Sequence, residues 1–346
     1  MSMSSFKLFI ITVLSLLLWT CGDNPNGKKS NFSITTDAKN NTIALGETIK
    51  LSIENPKNKT INSISYKINK SEIDENFNAK DMPLGVHTIT ATVTYDETTE
   101  EAHTNLTILN NVAPKIYSYK ILNEYPHDIT SYTQGLEFYD GFLYESTGQY
   151  GESKLRKVDY KTGEVLKNTN LGNQYFGEGL TILNNNIYQL TWKENIGFVY
   201  SVDTFEKTGS FNYGKSKEGW GLCNDGKSIF KTDGTNKIWK LNPDTLVEED
   251  YIQIYTNTGK IDRLNEMEFI DGKIYANIYQ RNGVLIINPE NGAVEGVIDF
   301  SPLQKLVKQH PELDVLNGIA YNPETKTIFV TGKDWDKLFE VEVFVK

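Results

Sequence analysis

The chain has 346 residues, 38% hydrophobic and 23% charged, and its 45 acidic and 35 basic side chains give a formal net charge of −10. The chain has only 10 Pro and 2 Cys, which argues against a collagen-like or disulfide-rich protein. Its basic residues are not clustered, which argues against a nucleic-acid partner. The 26 Gly, 19 Tyr and 16 Phe favour short strands and tight turns, and so indicate an all-β protein.

Residues 1–21 are predicted to be an export signal of the bacterial lipoprotein type. Lys7 precedes an apolar run over 8–19, which is too short to span a bilayer as a mature helix. The run ends just before Cys21, whose setting resembles the lipidated cysteine of such signals. Residues 22–30 are polar and rich in turn formers, which indicates a tether. We therefore expect a protein held by a lipid anchor at the bacterial cell envelope, either periplasmic or on the outer surface.

Residues 31–110 are predicted to form a small immunoglobulin-like β-sandwich. Short runs such as 48–53 and 87–94 alternate apolar and polar residues, and turn clusters separate them. No candidate catalytic residue stands out in this part, so we expect a spacer or docking module.

From residue 115 to 346 the sequence contains an internal repeat. A short motif introduces an apolar strand five times, with spacings of 44, 42, 45 and 52 residues between the second positions. The motifs are Gln134-Gly135-Leu136, Glu178-Gly179-Leu180, Trp220-Gly221-Leu222, Asn265-Glu266-Met267 and Asn317-Gly318-Ile319. A period near 45 with several strands per unit predicts a five-bladed β-propeller. The last unit has room for three strands, so a strand over 116–122 is predicted to close the ring.

The repeat also predicts where the site lies. The first motif positions should face the mouth of the central channel, where four polar residues and one tryptophan would converge. For Asn317 the alternative to a position in this pocket is a hydrogen bond between strand ends of neighbouring blades. Glu178, two residues after Phe176, should be partly desolvated with a raised pKa, which suits general acid/base chemistry.

Longer segments extend these motifs in all five repeats. They are Tyr132-Thr133-Gln134-Gly135-Leu136, Phe176-Gly177-Glu178-Gly179-Leu180-Thr181, Gln189-Leu190-Thr191-Trp192, Gly219-Trp220-Gly221-Leu222, Leu264-Asn265-Glu266 and Val330-Thr331-Gly332-Lys333-Asp334-Trp335. Together they resemble the plant and bacterial type of glutaminyl cyclases, or glutamine cyclotransferases. The resemblance implies an enzyme that converts the N-terminal glutamine of peptides to pyroglutamate and releases ammonia. It implies a pocket of Gln134, Phe176, Glu178, Trp192, Trp220, Asn265 and Lys333. This chain departs from the family at Tyr132, where Phe is usual, and at Tyr279, where Trp is frequent.

The residue types suggest how such a pocket would work. Glu178 would carry the proton from the attacking amine to the leaving group. Lys333, or the side-chain amides of Gln134 and Asn265, would stabilise the developing oxyanion, and the sequence does not decide between them. The aromatic side chains would fold the substrate into its reactive conformer. We expect no cofactor and no metal, peptides or proteins with N-terminal Gln as partners, and a monomer.

Two alternatives stay open at this point. Glu178, Asn265 and Asn317 offer oxygen ligands of the kind that a calcium-dependent, lactonase-like propeller hydrolase uses. A non-catalytic propeller that binds ligands at the cell surface would share the same fold.

Overall fold

The computed structural model describes residues 30–346, and strands dominate this part of the chain. The predicted lipoprotein signal, Cys21 and nearly all of the predicted tether lie outside the described residues. Within residues 30–346, no helix has the length and apolar character needed to cross a membrane.

The first unit contains two β-sheets that pack around a common apolar core. Their strand orders are β1-β3-β6 and β2-β8-β7-β4-β5, and β2 pairs with β8 in parallel. The strands are β1 Ser33–Thr36, β2 Thr42–Ala44, β3 Thr48–Glu54, β4 Ile61–Ile68, β5 Ser71–Ile73, β6 Asn76–Asn78, β7 Gly85–Tyr95 and β8 Thr98–Leu109, with a 3₁₀ turn at Lys39–Asn41. Alternate residues of β7 are buried, as expected for a strand with one face on the core. The immunoglobulin-like assignment stays a prediction, and a two-sheet unit is the architecture that it requires.

The second unit consists of five four-stranded blades. Its strands are β9 Lys115–Pro126, β10 Thr133–Tyr139, β11 Phe142–Thr147, β12 Lys154–Asp159, β13 Glu164–Asn170, β14 Gly177–Leu183, β15 Asn186–Thr191, β16 Ile196–Ser201, β17 Lys207–Asn212, β18 Leu222–Asn224, β19 Ile229–Thr232, β20 Lys237–Leu241, β21 Glu248–Gln253, β22 Leu264–Ile270, β23 Lys273–Ile278, β24 Gly283–Ile287, β25 Val294–Asp299, β26 Leu316–Asn322, β27 Thr327–Gly332 and β28 Lys337–Val345, with a 3₁₀ turn at Leu303–Lys305. Blades 1 to 4 are β10–β13, β14–β17, β18–β21 and β22–β25, and blade 5 contains β26–β28 and β9. The predicted all-β fold with a five-bladed propeller is confirmed.

Strand β9 closes the ring. It pairs antiparallel with β28, from Lys337 opposite Pro126 to Val345 opposite Tyr117. Its first residues also pair in parallel with β25, where Gly296 lies opposite Lys115. The closing strand therefore lies where the sequence predicts it, although it is longer than the predicted 116–122.

Glycines at the second motif position let the inner strands of neighbouring blades approach closely. A Cβ atom on Gly179 would lie 2.5 Å from the backbone nitrogen of Leu222 in the next blade. Gly135 and Gly221 meet the backbone of the following blade in the same way. No other residue type fits without a backbone shift, so the repeated glycine is a packing requirement of the ring.

The first motif residues sit at irregularities in strand pairing. The register of the inner strand shifts between Thr133 and Gly135 in blade 1 and between Gly177 and Leu180 in blade 2. Blades 4 and 5 have equivalent shifts at Leu264 and Leu316. Such bulges redirect side chains, and here they affect the residues of the predicted site.

Three buried glutamates link inner strands of neighbouring blades. Glu137 accepts hydrogen bonds from the backbone nitrogen of Ile182 at 3.1 Å and the hydroxyl of Thr181 at 2.7 Å. Glu266 and Glu268 accept bonds from backbone nitrogens of blade 5 at 2.8 and 3.0 Å. Burial raises the pKa of all three carboxyl groups.

The two units share an apolar contact. Tyr255 and Ala293 of the propeller belong to the same buried cluster as the core of the first unit. The backbone nitrogen of Leu84 donates to the carbonyl of Asn291 at 2.9 Å, and that of Asn110 donates to Thr256 at 3.2 Å. The first unit thus packs against the propeller beside the beginning of β25.

Candidate active site

One cavity of about 220 Å³ collects side chains from all five blades. Its lining residues are Tyr132, Gln134, Phe176, Glu178, Trp192, Trp220, Asn265, Tyr279 and Lys333. Each lies at the same end of its blade, just before or at the start of an inner strand or just after the second strand. The structure therefore brings together the seven pocket residues that the resemblance implies, with Tyr132 and Tyr279 beside them, while the role of each residue stays a prediction.

Glu178 is the carboxylate of this cavity. Its side chain is buried, with the whole residue only 4% exposed. The Nε2 of Gln134 donates to Oε1 at 3.0 Å, whereas Oε2 is buried and has no hydrogen-bond partner among residues 30–346. Burial raises the pKa of Glu178 well above its usual range, and the Lys333 charge opposes this shift in part. A carboxyl group with a raised pKa and one free oxygen is suited to exchange a proton with a ligand.

Asn317 orients the neighbour of Glu178 and does not line the cavity. Its Nδ2 donates to the Oε1 of Gln134 at 3.1 Å and to the backbone oxygen of Thr133 at 2.9 Å. Because the amide oxygen of Gln134 is occupied, its NH₂ group faces Glu178. For Asn317 the structure thus shows the hydrogen bond between blades, which was the alternative to a position in the pocket.

Lys333 brings a cation into the same space. Its residue is only 2% exposed, and its ammonium lies 4.4 Å from the ring centre of Tyr132 and 5.2 Å from that of Tyr279. Such contacts stabilise a desolvated ammonium. Burial lowers the pKa of Lys333, while the negative charges of Glu178 and Asp314 act in the opposite direction.

Aromatic rings form the remaining walls. The ring centres of Phe176 and Trp192 are 5.6 Å apart, and Tyr132 meets Phe176 edge-on at 6.1 Å. On the other side, Trp220 meets Tyr279 edge-on at 5.4 Å. The few polar groups therefore converge in an otherwise apolar pocket, which is the usual composition of a small-ligand site.

Two carboxylates behind these walls were not anticipated from the sequence. Glu218 accepts hydrogen bonds from the indole nitrogens of Trp192 and Trp220, both at 2.9 Å. Asp314 accepts one from the hydroxyl of Tyr132 at 3.0 Å, so this hydroxyl, a departure from the family pattern, has a partner. The sequence feature that could have indicated Glu218 is its position two residues before Trp220. Asp314 lies in the loop before β26, outside the repeated motif.

A second buried polar cluster has the residue types of a catalytic triad but not its geometry. His127 contacts the Oε1 of Glu145 at 3.1 Å and the backbone oxygen of Trp335 at 2.8 Å. The hydroxyl of Ser131 donates to Glu145 rather than to the imidazole. Because the imidazole of His127 contacts Glu145 and Trp335 and not the hydroxyl, this cluster lacks the Ser–His pair of a triad. It joins the segment after β9 to blade 1.

The described part of the chain contains no group of three or more His, Cys, Asp or Glu side chains placed to hold a metal ion.

Cys223 is buried at the start of blade 3, and burial raises the pKa of its thiol well above the usual range. A buried thiol of this kind is inert.

Comparison with known proteins identifies the family. A model described as glutamine cyclotransferase matches residues 88–343, which begins within β7 of the first unit. The glutaminyl-peptide cyclotransferase of Arabidopsis thaliana is 38% identical over 237 residues, which is 67% of this chain and 73% of that protein. The crystal structure of Myxococcus xanthus glutaminyl cyclase is 36% identical with a TM-score of 0.63, covering 67% of this chain and 99% of that one.

These similarities show an enzyme of the acyl-transferring class. The chain belongs to the glutamine cyclotransferase family. The resemblance predicted from the sequence motifs is confirmed, and the lactonase-like and non-catalytic alternatives are not favoured.

Proposed function

We propose that this enzyme cyclises the N-terminal glutamine of peptides and proteins to pyroglutamate and releases ammonia. The observation that carries the proposal is the buried Glu178, which accepts a hydrogen bond from Gln134 on one oxygen and has no partner for the other within the described part of the chain. The cavity of about 220 Å³ is smaller than the ~300–1,000 Å³ of typical drug-sized sites. It therefore suits a single residue at a chain end.

The reaction exchanges one amide bond for another. The α-amino nitrogen attacks the γ-carboxamide carbon, the new C–N bond closes a five-membered lactam, and the old C–N bond breaks to release NH₃. The amine is largely protonated near neutrality, with a reference pKa of about 7.7–8.0. Glu178 takes a proton from the attacking nitrogen and gives it to the leaving nitrogen, so that the carboxylate is regenerated in each turnover.

The hydrogen bonds favour Lys333 as the group that stabilises the oxyanion. The NH₂ of Gln134 already donates to Glu178 at 3.0 Å. Asn265 has a buried Oδ1 to which no group of the described residues donates, and this oxygen suits acceptance of a bond from a substrate N–H group. Lys333 is the cation of this cavity, and a desolvated cation stabilises developing negative charge more strongly than it would in water.

The aromatic walls contribute through geometry. Cyclisation requires the substrate to bend back on itself, and a well-oriented intramolecular reaction gains a large effective molarity. Phe176 and Trp192 on one side, and Trp220 and Tyr279 on the other, restrict the side chain to bent conformers and exclude water. Exclusion of water also suppresses hydrolysis of the carboxamide to glutamate.

We also propose the location of the protein. A lipid anchor at Cys21 would hold it at the bacterial cell envelope, and the enzyme would act there as a monomer. The apolar run over 8–19 that ends near this cysteine supports the anchor.

The test measures ammonia released from a dipeptide that begins with Gln, in the presence of a chelator. The matched controls are the same dipeptide with an acetylated amine and a dipeptide that begins with Asn, which would have to close a four-membered ring. We expect ammonia and an equal amount of pyroglutamyl product from the Gln dipeptide alone. Ammonia from the acetylated peptide would indicate simple amide hydrolysis and contradict the proposal.

A further inference from the structure

One oxygen atom of Glu218 joins two walls of the cavity. Its Oε2 accepts the indole N–H of Trp192 at 2.9 Å and that of Trp220 at 2.9 Å. Trp192 follows β15 in blade 2, and Trp220 precedes β18 in blade 3. The same carboxylate thus sets the distance between two rings that belong to different blades.

These bonds determine how each ring is turned. Apolar contacts are not directional, so packing alone selects the orientation of an indole less sharply than a hydrogen bond does. A bond from an indole N–H to a carboxylate is directional and, because the acceptor is charged, roughly twice as strong as a neutral one. With both N–H groups directed to Glu218, the rings of Trp192 and Trp220 present fixed faces toward Phe176 and Tyr279.

The backbone of Glu218 is itself anchored. The fully buried ammonium of Lys231 donates to the Glu218 carbonyl at 2.8 Å and to the Ser216 hydroxyl at 2.5 Å, and it pairs with Glu248 at 3.5 Å. The nitrogen of Gly219 donates to the carbonyl of Trp192 at 2.9 Å. A side chain that orients others must be supported by a rigid shell, and this segment has one.

We propose that Glu218 is a positioning residue of the cyclisation reaction, which holds Trp192 and Trp220 in the one arrangement that bends a glutamine side chain toward its own amine. This inference rests on the proposed function. The negative charge of Glu218 also contributes to the raised pKa of Glu178, so the residue acts on the proton shuttle through the electric field as well.

Three variants separate these effects. Glu218→Leu removes both the acceptor and the charge, while Glu218→Gln keeps an amide oxygen that accepts both indole bonds but removes the charge. Lys217→Leu changes the exposed neighbour and is the control. For Glu218→Leu we expect kcat/KM to fall about 10–100-fold, as for hydrogen bonds to a charged group, with much of the loss in KM. Glu218→Gln should have a kcat/KM within a few-fold of wild type, and the acid limb of its pH–rate profile should lie at lower pH.

The first readout needs no substrate. In a nitrogen–proton spectrum of the free enzyme, the indole signals of Trp192 and Trp220 are assigned from the two Trp→Phe variants. Glu218→Leu should move both signals toward the position of free indole, and Lys217→Leu should move neither. Unchanged indole signals in Glu218→Leu would overturn the inference. If wild type releases no ammonia from Gln peptides while the signals respond as expected, the proposed function fails and the orienting contact stands.

The second readout is a double-mutant cycle. In a protein that carries both Trp192→Phe and Trp220→Phe, neither indole N–H that bonds to Glu218 is left. Adding Glu218→Leu should then change kcat/KM, measured on the pH plateau where the charge effect on Glu178 does not count, by less than about twofold, within the usual limits of additivity. If Glu218→Leu has the same effect in this background as in wild type, it acts by another route and the inference is wrong.

Discussion

Replacement of Glu178 by Gln tests the proton shuttle most directly. The substitution keeps the volume of the side chain and an oxygen that can accept the 3.0 Å bond from Gln134. It removes the ability to bind and release a proton at a position where the second oxygen has no partner in the described structure. We therefore expect kcat to fall by about 10²–10⁴-fold, the usual contribution of a general acid/base. This corresponds to about 2.7–5.4 kcal/mol of lost transition-state stabilisation, with little change in KM.

The pH profile provides the second part of this prediction. Burial raises the pKa of Glu178, so wild-type activity should rise with pH as the carboxyl group loses its proton. The nearby charge of Glu194 contributes to the raised pKa. Glu194→Gln should therefore lower that pKa and move the acid limb to lower pH, while the maximal rate stays near the wild-type value.

The assay is steady-state ammonia release from a Gln dipeptide across the pH range, with thermal midpoints to show that each variant is folded. Glu194→Gln is the matched control, since it also converts a carboxylate to an amide beside the cavity. If folded Glu178→Gln keeps more than about a tenth of the wild-type kcat, well short of the general acid/base range, Glu178 is not the shuttle. A shift of the Glu194→Gln acid limb to higher pH would contradict the electrostatic argument.

Three other predictions follow from the structure. Lys333→Met should lower kcat by about 10²–10³-fold, as for loss of an oxyanion donor, whereas Lys326→Met, at an exposed lysine, should leave kcat unchanged. Equal kcat values for Lys333→Met and wild type in steady-state assays would exclude this role of Lys333. Gly179→Ala should lower the free energy of unfolding by about 1–3 kcal/mol, because the new Cβ would lie 2.5 Å from a backbone atom of the next blade. Denaturant unfolding measures this, with Gly209→Ala as the control, since a Cβ at Gly209 would have its nearest neighbouring atom at 3.8 Å. Cys21→Ser should release the protein from the membrane fraction of the producing cells, and retention there would refute lipid anchoring.

The sequence predicts the propeller and its cavity well because both depend on the repeat. Four of the five motifs place a glycine at the second position, and the ring brings the first motif residues of blades 1 to 4 together in the cavity. The places of Gln134 and Asn265 in the cavity follow from their positions in the repeat.

Residues outside the period could not be predicted in this way. The position of Glu218 depends on a loop whose conformation is fixed by Lys231, a buried contact that no local pattern reveals. Asp314 lies in a long connection between blades 4 and 5. Asn317 obeys the repeat and yet bonds to Gln134, because the geometry of the bulge decides which side chains enter the cavity. Tertiary contacts decide these details.

The closing strand has a consequence for synthesis of the protein. Glu124 in β9 and its partner Lys337 in β28 are 213 residues apart in sequence. At a ribosomal rate of about 5–20 residues per second, β9 must wait on the order of 10–40 s for β28. Throughout this interval its edge, with Tyr117, Tyr119 and Ile121, is open to pairing with other chains. The nascent chain is therefore most exposed to aggregation before blade 5 is made, and slower translation would lengthen that period.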